Sequence, residues 1–252
     1  AVPSTLILFE SGPRLAASRK AYHNLERALP EGDYDTIIAG MWDNLGRVIC
    51  EYPHLARIAR ERVRIEGLEN LPDPSAGNVI FISAHMANWE INCAAPLVQL
   101  GLAVDVTYRA PNNPYVAAIL EKIRSFGGRL QAYPKSRSGG RALMKAVREG
   151  RNIGILIDQK YNEGVEASFF NQPAMTNPIF VQLAQKFDLP LIPIQIVRVE
   201  GAHFRLIIHP ALDVQGVAES DIITQAHTLL EGWIREKPEQ WLWLHRRWKL
   251  DD

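Results

Sequence analysis

From Val79 onward, short apolar runs rich in β-branched residues alternate with segments of helical period, and this alternation constrains the fold most. Val79–Ile82, Ala103–Thr107, Ile153–Ile157 and Leu191–Val197 read as buried strands. Helical patterns lie between them, at Ile91–Leu100, Tyr115–Phe126, Gly140–Glu149 and Pro178–Phe187. Strands separated by helices predict a largely parallel sheet covered on both faces, because a parallel crossover needs a helix to return the chain. Leu191–Val199 and Phe204–His209, joined by Glu200-Gly201-Ala202-His203, predict an antiparallel hairpin at one edge. Upstream, Ile37, Ile38, Met41, Trp42, Leu45, Val48 and Ile49 form one wide apolar stripe at helical spacing. A last helix is predicted over Ser220–Arg235. The expected architecture is α/β: a mixed, largely parallel sheet flanked by helices. It is expected as one domain, with a helical N-terminal arm over 1–62 and an α/β core over 63–252.

With 252 residues and 47% apolar content, the chain can bury a sizeable core. Lysine plus arginine and aspartate plus glutamate both number 28, so the formal net charge is zero. That balance argues against a nucleic-acid binder. It is nevertheless a cancellation: Arg109 to Arg151 holds ten basic and two acidic residues. A block of that sign suits an anionic substrate or partner. Cys50 and Cys93 are too few for a disulfide scaffold. A spanning helix needs about 20 mostly apolar residues. The longest uncharged stretch, Ala167–Gln185, is broken by Asn171, Gln172, Pro173, Asn177 and Pro178.

The strand at Val79–Ile82 runs into Ser83-Ala84-His85-Met86-Ala87-Asn88-Trp89-Glu90. The carboxyl end of a parallel strand is where open α/β sheets place their ligands. Asn88 suits a helix N-cap, which puts Glu90 in the first turn, where the helix dipole favours a carboxylate. A loop-borne His85 folding back onto Glu90 would donate Nδ1–H and keep its other nitrogen free as a general base. Metal ligation is disfavoured, since the chain lacks His-Glu-x-x-His and paired cysteines. Ser83 is not in a Gly-x-Ser-x-Gly elbow.

His85-Met-Ala-Asn-Trp-Glu90 resembles the His-x-x-x-x-Asp/Glu motif of the lipid A biosynthesis lauroyl/myristoyl acyltransferases. The resemblance covers nearly the whole chain. Trp42–Arg47 with Glu51, Arg64–Leu71 and Tyr108-Arg109-x-Pro111-x-Asn113-Pro114 are all similar to segments of that family. So are Asp158-Gln159, Gly164, Phe169-Phe170-x-x-Pro173-Ala174-x-Thr176 and the tail Trp243-x-His245-Arg246-Arg247-Trp248-Lys249. Asn171 stands where the family pattern has glycine. Members usually begin with a membrane-inserting helix, of which only Leu6-Ile7-Leu8-Phe9 could be a remnant here.

What the resemblance implies is a glycerolipid acyltransferase-like fold that moves an acyl chain from an acyl carrier protein thioester to a hydroxyl of a lipid A precursor. His85 would be the general base and Glu90 its orienting partner. A thioester is already activated, so this chemistry requires neither a metal nor another cofactor. Two other readings stay open: an acyl-CoA-dependent enzyme acting on another glycolipid, such as a phosphatidylinositol mannoside, and a non-catalytic peripheral lipid-binding protein. Arg109, at the same sheet edge as His85, is expected to bind substrate, as are Lys135 and Arg137 near a helix start. Arg198, at the end of its strand, is a further candidate anion contact. Asp158 ends a strand at the same edge, where it could fix Arg109, fix His85 or bind a sugar. The tail collects Trp233, Trp241, Trp243 and Trp248 beside Arg246, Arg247 and Lys249, which suits a membrane surface or, nearly as well, the core packing of a terminal helix, with membrane contact favoured. The expected location is the cytoplasmic face of a bacterial inner membrane, reached peripherally or through an anchor preceding Ala1. His227 is expected at the surface.

Overall fold

The computed structural model describes residues 11–73, 77–108, 113–134 and 137–248. Two helices, α1 (Ser18–Ala28) and α2 (Tyr34–Glu51), precede a short α3 (Leu55–Glu61). The strands β1 (Val63–Glu66), β2 (Ile80–Ser83), β3 (Val104–Tyr108), β4 (Ala132–Pro134) and β5 (Asn152–Leu156) follow, with helices from β2 onward between them. These are α4 (Ile91–Ala95), α5 (Pro114–Arg124) and α6 (Arg137–Arg148). Beyond β5 come a hairpin of β6 (Val165–Phe169) and β7 (Gln172–Thr176), then α7 (Ile179–Phe187), β8 (Leu191–Glu200), β9 (His203–Ile208) and α8 (Glu219–Glu236).

Seven strands form one sheet in the order β1-β9-β8-β2-β5-β3-β4. β8, β2, β5, β3 and β4 run parallel, while β8 and β9 pair antiparallel as the sequence predicts; the hairpin is not the edge, however, because β1 pairs parallel to β9 outside it. Period-two alternation splits the core into two layers. Ile80 and Ile82 face α2, α6, α7 and α8, whereas Val79 and Phe81 face α3 and α4. Among the described residues, no helix is long and apolar enough to cross a membrane.

The N-cap of α2 is Asp33, whose carboxylate accepts from the Thr36 N–H. Its stripe buries Ile37, Ile38, Met41, Trp42 and Val48, but Ile49 stays exposed. The hairpin β6–β7 lies outside the sequence expectation, which has a loop there. Phe170 and Asn171 form its two-residue turn, with φ of 52° and 55°. Asn171 therefore adopts the left-handed backbone for which glycine is the usual choice, and asparagine is among the few residues that tolerate it.

The tail departs from the membrane expectation. Trp233, Trp241, Trp243 and Trp248 are all buried, and the Arg247 side chain is buried with them. Phe169 stacks on Trp248 and meets Trp241 edge-on, so the loop phenylalanines and the tail tryptophans complete one aromatic core. His227, expected at the surface, is fully buried.

Candidate active site

The site grows from the register between two strands. β2 and β5 pair in parallel with Ser83 opposite Leu156, and the Ile157 N–H donates to Ser83 O. Continuing two residues beyond Ser83 and Leu156 sets His85 beside Asp158. The connections leaving these strands pack on opposite faces, α4 on one and α7 on the other. That divergence opens the crevice in which doubly wound sheets bind ligands.

Asp158 is the residue that orients His85. Its Oδ1 lies 2.8 Å from His85 Nδ1, and its Oδ2 accepts from His85 N at 2.9 Å and from Trp241 Nε1 at 2.8 Å. Burial alone would raise the Asp158 pKa. The His85 ring, the His85 N–H and the Trp241 indole overcome that effect and hold the carboxyl well below the usual range. An ionised Asp158 accepts at Nδ1, which leaves the His85 Nε2 lone pair facing outward. Nearby, the Gln159 amide nitrogen lies 3.2 Å from His85 Nε2 and 2.8 Å from His245 Nε2. Two N–H donors on one amide thus meet two imidazole lone pairs.

Glu90 is placed elsewhere, which corrects the sequence expectation. Its carboxylate takes a bidentate contact from Arg124 through Nε and Nη2, and accepts from Tyr52 Oη and Trp89 Nε1. A five-residue offset across a turn and a helix start points Glu90 toward α5, away from His85 Nδ1. α4 begins only at Ile91, so Glu90 and not Asn88 is at its N-cap position; the Asn88 side chain instead accepts from the Glu90 N–H just ahead of the helix, at 3.2 Å.

Arg198 also departs from expectation. Its guanidinium donates to both Glu51 oxygens, to Asn44 Oδ1 and to Gly201 O, and it lies 4.6 Å over the Phe204 ring. With only 9% of its surface exposed, it is a buried structural cation and not an anion contact. Arg109 and Lys135 lie outside the described residues, as does the side chain of Arg137. The basic block is also partly neutralised from within. Arg124 is held by Glu90, and Arg151 by the fully buried Asp105.

The loop carrying His85 is clamped from behind. Ala87 has φ of 46°, a strained value for alanine, and is fixed by Ala87 N to Gln240 O and by Asn44 Nδ2 to Ala87 O. Leu242 N donates to His85 O, so the tail pairs along the loop as an added strand would. Asn88 Nδ2 reaches Glu51, tying the same loop to the end of α2.

In front of His85 lies a cavity of about 880 Å³. The loops beyond the strand ends contribute polar residues to it: His85, Gln159, Lys160, Asn162, His245 and Arg246. The strands and a covering helix contribute Leu55, Phe81, Val104, Val106 and Ile194, and the turn after α5 adds Phe126 and Leu130, all apolar. Gly154 stands between Phe81 and Val106 in register, and its missing side chain leaves room along this wall. Cys93 lines it as a neutral thiol, its pKa pushed up to about 12 by burial. Among the described residues, no three His, Cys, Asp or Glu side chains converge as metal ligands.

Comparison with known proteins gives a consistent outcome. The family model described as bacterial lipid A biosynthesis acyltransferase matches residues 11–250. The lipid A biosynthesis palmitoleoyltransferase of Escherichia coli (strain K12) is 26% identical over 243 residues, covering 91% of this chain and 78% of that protein. The lipid A biosynthesis acyltransferase of Shigella flexneri matches to the same extent. Among solved structures, a 1-acyl-sn-glycerophosphate acyltransferase from Thermotoga maritima covers 94% of this chain and 98% of its own. Its TM-score is 0.45 at 14% identity.

Proposed function

The chain belongs to the bacterial lipid A biosynthesis acyltransferase family and is an O-acyltransferase, and on that premise we propose that it carries a fatty acyl chain from an acyl carrier protein thioester to a hydroxyl of a lipid A precursor. His85 is the general base and Asp158 its orienting carboxylate. The observation that carries this reading is the His85–Asp158 pair, 2.8 Å apart, facing a cavity with polar loops and apolar walls. The acceptor hydroxyl displaces the Gln159 amide and donates its hydrogen bond to His85 Nε2. As the proton moves to Nε2, the oxygen attacks the thioester carbon. The tetrahedral intermediate then collapses, the carbon–sulfur bond breaks, and the imidazolium returns the proton to the departing thiolate. Asp158 fixes the tautomer and stabilises the imidazolium throughout. The acyl chain lies along the apolar wall past Gly154.

Glu90 has a different part in this account. Its pair with Arg124 lines the cavity and ties α5 to the loop after β2. The acceptor lies in the cytoplasmic leaflet of the inner membrane, and this chain approaches it from the cytoplasmic side.

The reading is tested with purified full chain, acyl carrier protein or CoA thioesters, and either lipid A precursors or mannosylated lipids. Transfer to the lipid A precursor is expected, and His85→Ala lowers it by about 10²–10⁴-fold with the fold intact by circular dichroism. A folded His85→Ala chain with near wild-type turnover would remove His85 from the mechanism.

A further inference from the structure

Building on that reading, we propose that Lys160 and Arg246 form a phosphate-binding rim at the cavity mouth. The side chains around this cavity show an uneven use of charge. His85 is satisfied by Asp158, and Arg124 by Glu90. Lys160 and Arg246 line the same cavity, and among the described residues neither has an ion-pair or hydrogen-bond partner. No carboxylate in the cavity wall is left to take them, since Glu90 already holds Arg124.

Their placement is fixed by what lies next to them in the chain. Lys160 follows Gln159 and Arg246 follows His245, and the Gln159 and His245 side chains touch at 2.8 Å. Gln159 in turn reaches His85 Nε2. Each cation is therefore one residue away from a group in contact with the base or its neighbour. The backbone on either side is anchored as well. Asn24 Nδ2 donates to Trp243 O and His245 O, and the buried Arg247 donates to Met175 O and Thr176 Oγ1. On the other segment, Tyr161 N donates to Met175 O. Two cations with solvent access, held on hydrogen-bonded segments beside a general base and without counter-ions among the described residues, match a tetrahedral oxyanion. Arginine presents a fork to two of its oxygens and lysine a point charge to a third.

A phosphate ester reaches such a site from either substrate: a sugar phosphate on the acceptor, or the phosphodiester of the donor's pantetheine arm. His85 Nε2 receives the acceptor hydroxyl, whereas the pantetheine phosphate is separated from the thioester by the length of the arm. The sugar phosphate is the expected occupant.

The test compares wild type with Lys160→Ala/Arg246→Ala in the full chain. Binding to detergent micelles is measured with the phosphorylated glycolipid and with the same lipid after phosphatase treatment. In kinetics, KM is taken for both acceptors, and for an acyl-CoA donor against phosphate-free acyl-N-acetylcysteamine. Wild type is expected to favour the phosphorylated acceptor, and the double variant to lose about tenfold or more of that preference. The charge-conserving pair Lys160→Arg/Arg246→Lys should regain part of it. Loss of preference on the donor side instead would keep the phosphate site and reassign its source. Unchanged preference on both sides in a folded double variant overturns the proposal. Micelle binding reads the rim even if the chain transfers no acyl group, so failure here is separable from failure of the catalytic reading.

Discussion

At the scale of single residues, the site depends on which carboxylate holds His85. Asp158 carries three hydrogen bonds on two oxygens, and the groups that donate them fix its ionised form in a buried place. Glu90 is as well satisfied, but by Arg124, Tyr52 and Trp89. Gly154 makes a second residue-scale argument. A Cβ built there would meet Val104 Cγ1 at 3.1 Å, Asp105 O at 3.7 Å and Val106 Cγ1 at 3.8 Å, so a larger side chain crowds this wall of the cavity. Gly154→Val is expected to lower turnover with long acyl donors by about tenfold relative to short ones, the cost of overpacking one wall by about 1.4 kcal/mol. Competition between acyl donors of different length measures it, and an unchanged ratio would place the chain elsewhere. Much of this site was legible in the residues: His85 after a strand and Asp158 at a strand end both fall where local pattern puts them, whereas the helix starts two residues later than an Asn88 cap would have it. The choice between Glu90 and Asp158 was not, because it depends on β5 lying beside β2. Periodicity reports that a strand exists and is silent about its neighbour.

At the scale of elements, the N-terminal helices and the tail form the support behind the base. α2 ends in Glu51, which joins Arg198 of β8 to Asn88 of the catalytic loop. Both partners of this ion pair have side chains 9% exposed. Removing one partner of a buried pair leaves the other uncompensated, at a cost of about 3–5 kcal/mol. Glu51→Gln is therefore expected to lower Tm by about 6 °C or more. Thermal unfolding followed by circular dichroism measures this, and a shift within 1–2 °C would show that Arg198 finds water or another partner. The sequence could not assign Arg198 to this role. An arginine at a strand end reads equally as an anion contact until the helix packed against it is known. The tail is a similar case. Four tryptophans beside basic residues fit a membrane surface or a buried cap, and only the packing of Phe169 against Trp248 decides for the cap.

At the scale of the whole molecule, a buried histidine links pH to stability. His227 lies between β6 and the tail, with Nδ1 at Ser168 O and Nε2 near Thr176 Oγ1 and Arg247. Burial, then the charge of Arg247, pushes its pKa down to about 3 from an unfolded value near 6.5. Between these values the unfolded chain binds the extra proton, so stability is complete above pH 6.5 and falls as pH drops toward 3. The full window is worth about 5 kcal/mol. His227→Gln should flatten that dependence in denaturant titrations at pH 7 and pH 4.5, and an unchanged slope would contradict it. The same assembly of layers creates the active site, because the sheet order sets two strand ends side by side. The measurement that tests this most directly is acyl-transfer turnover by Asp158→Asn. The asparagine retains an oxygen for His85 N and Trp241 Nε1, yet places an N–H donor against Nδ1 and so removes the base tautomer. The account predicts a folded enzyme slowed by about 10³–10⁴-fold, the scale of tautomer loss in triad hydrolases. Turnover within tenfold of wild type would contradict it.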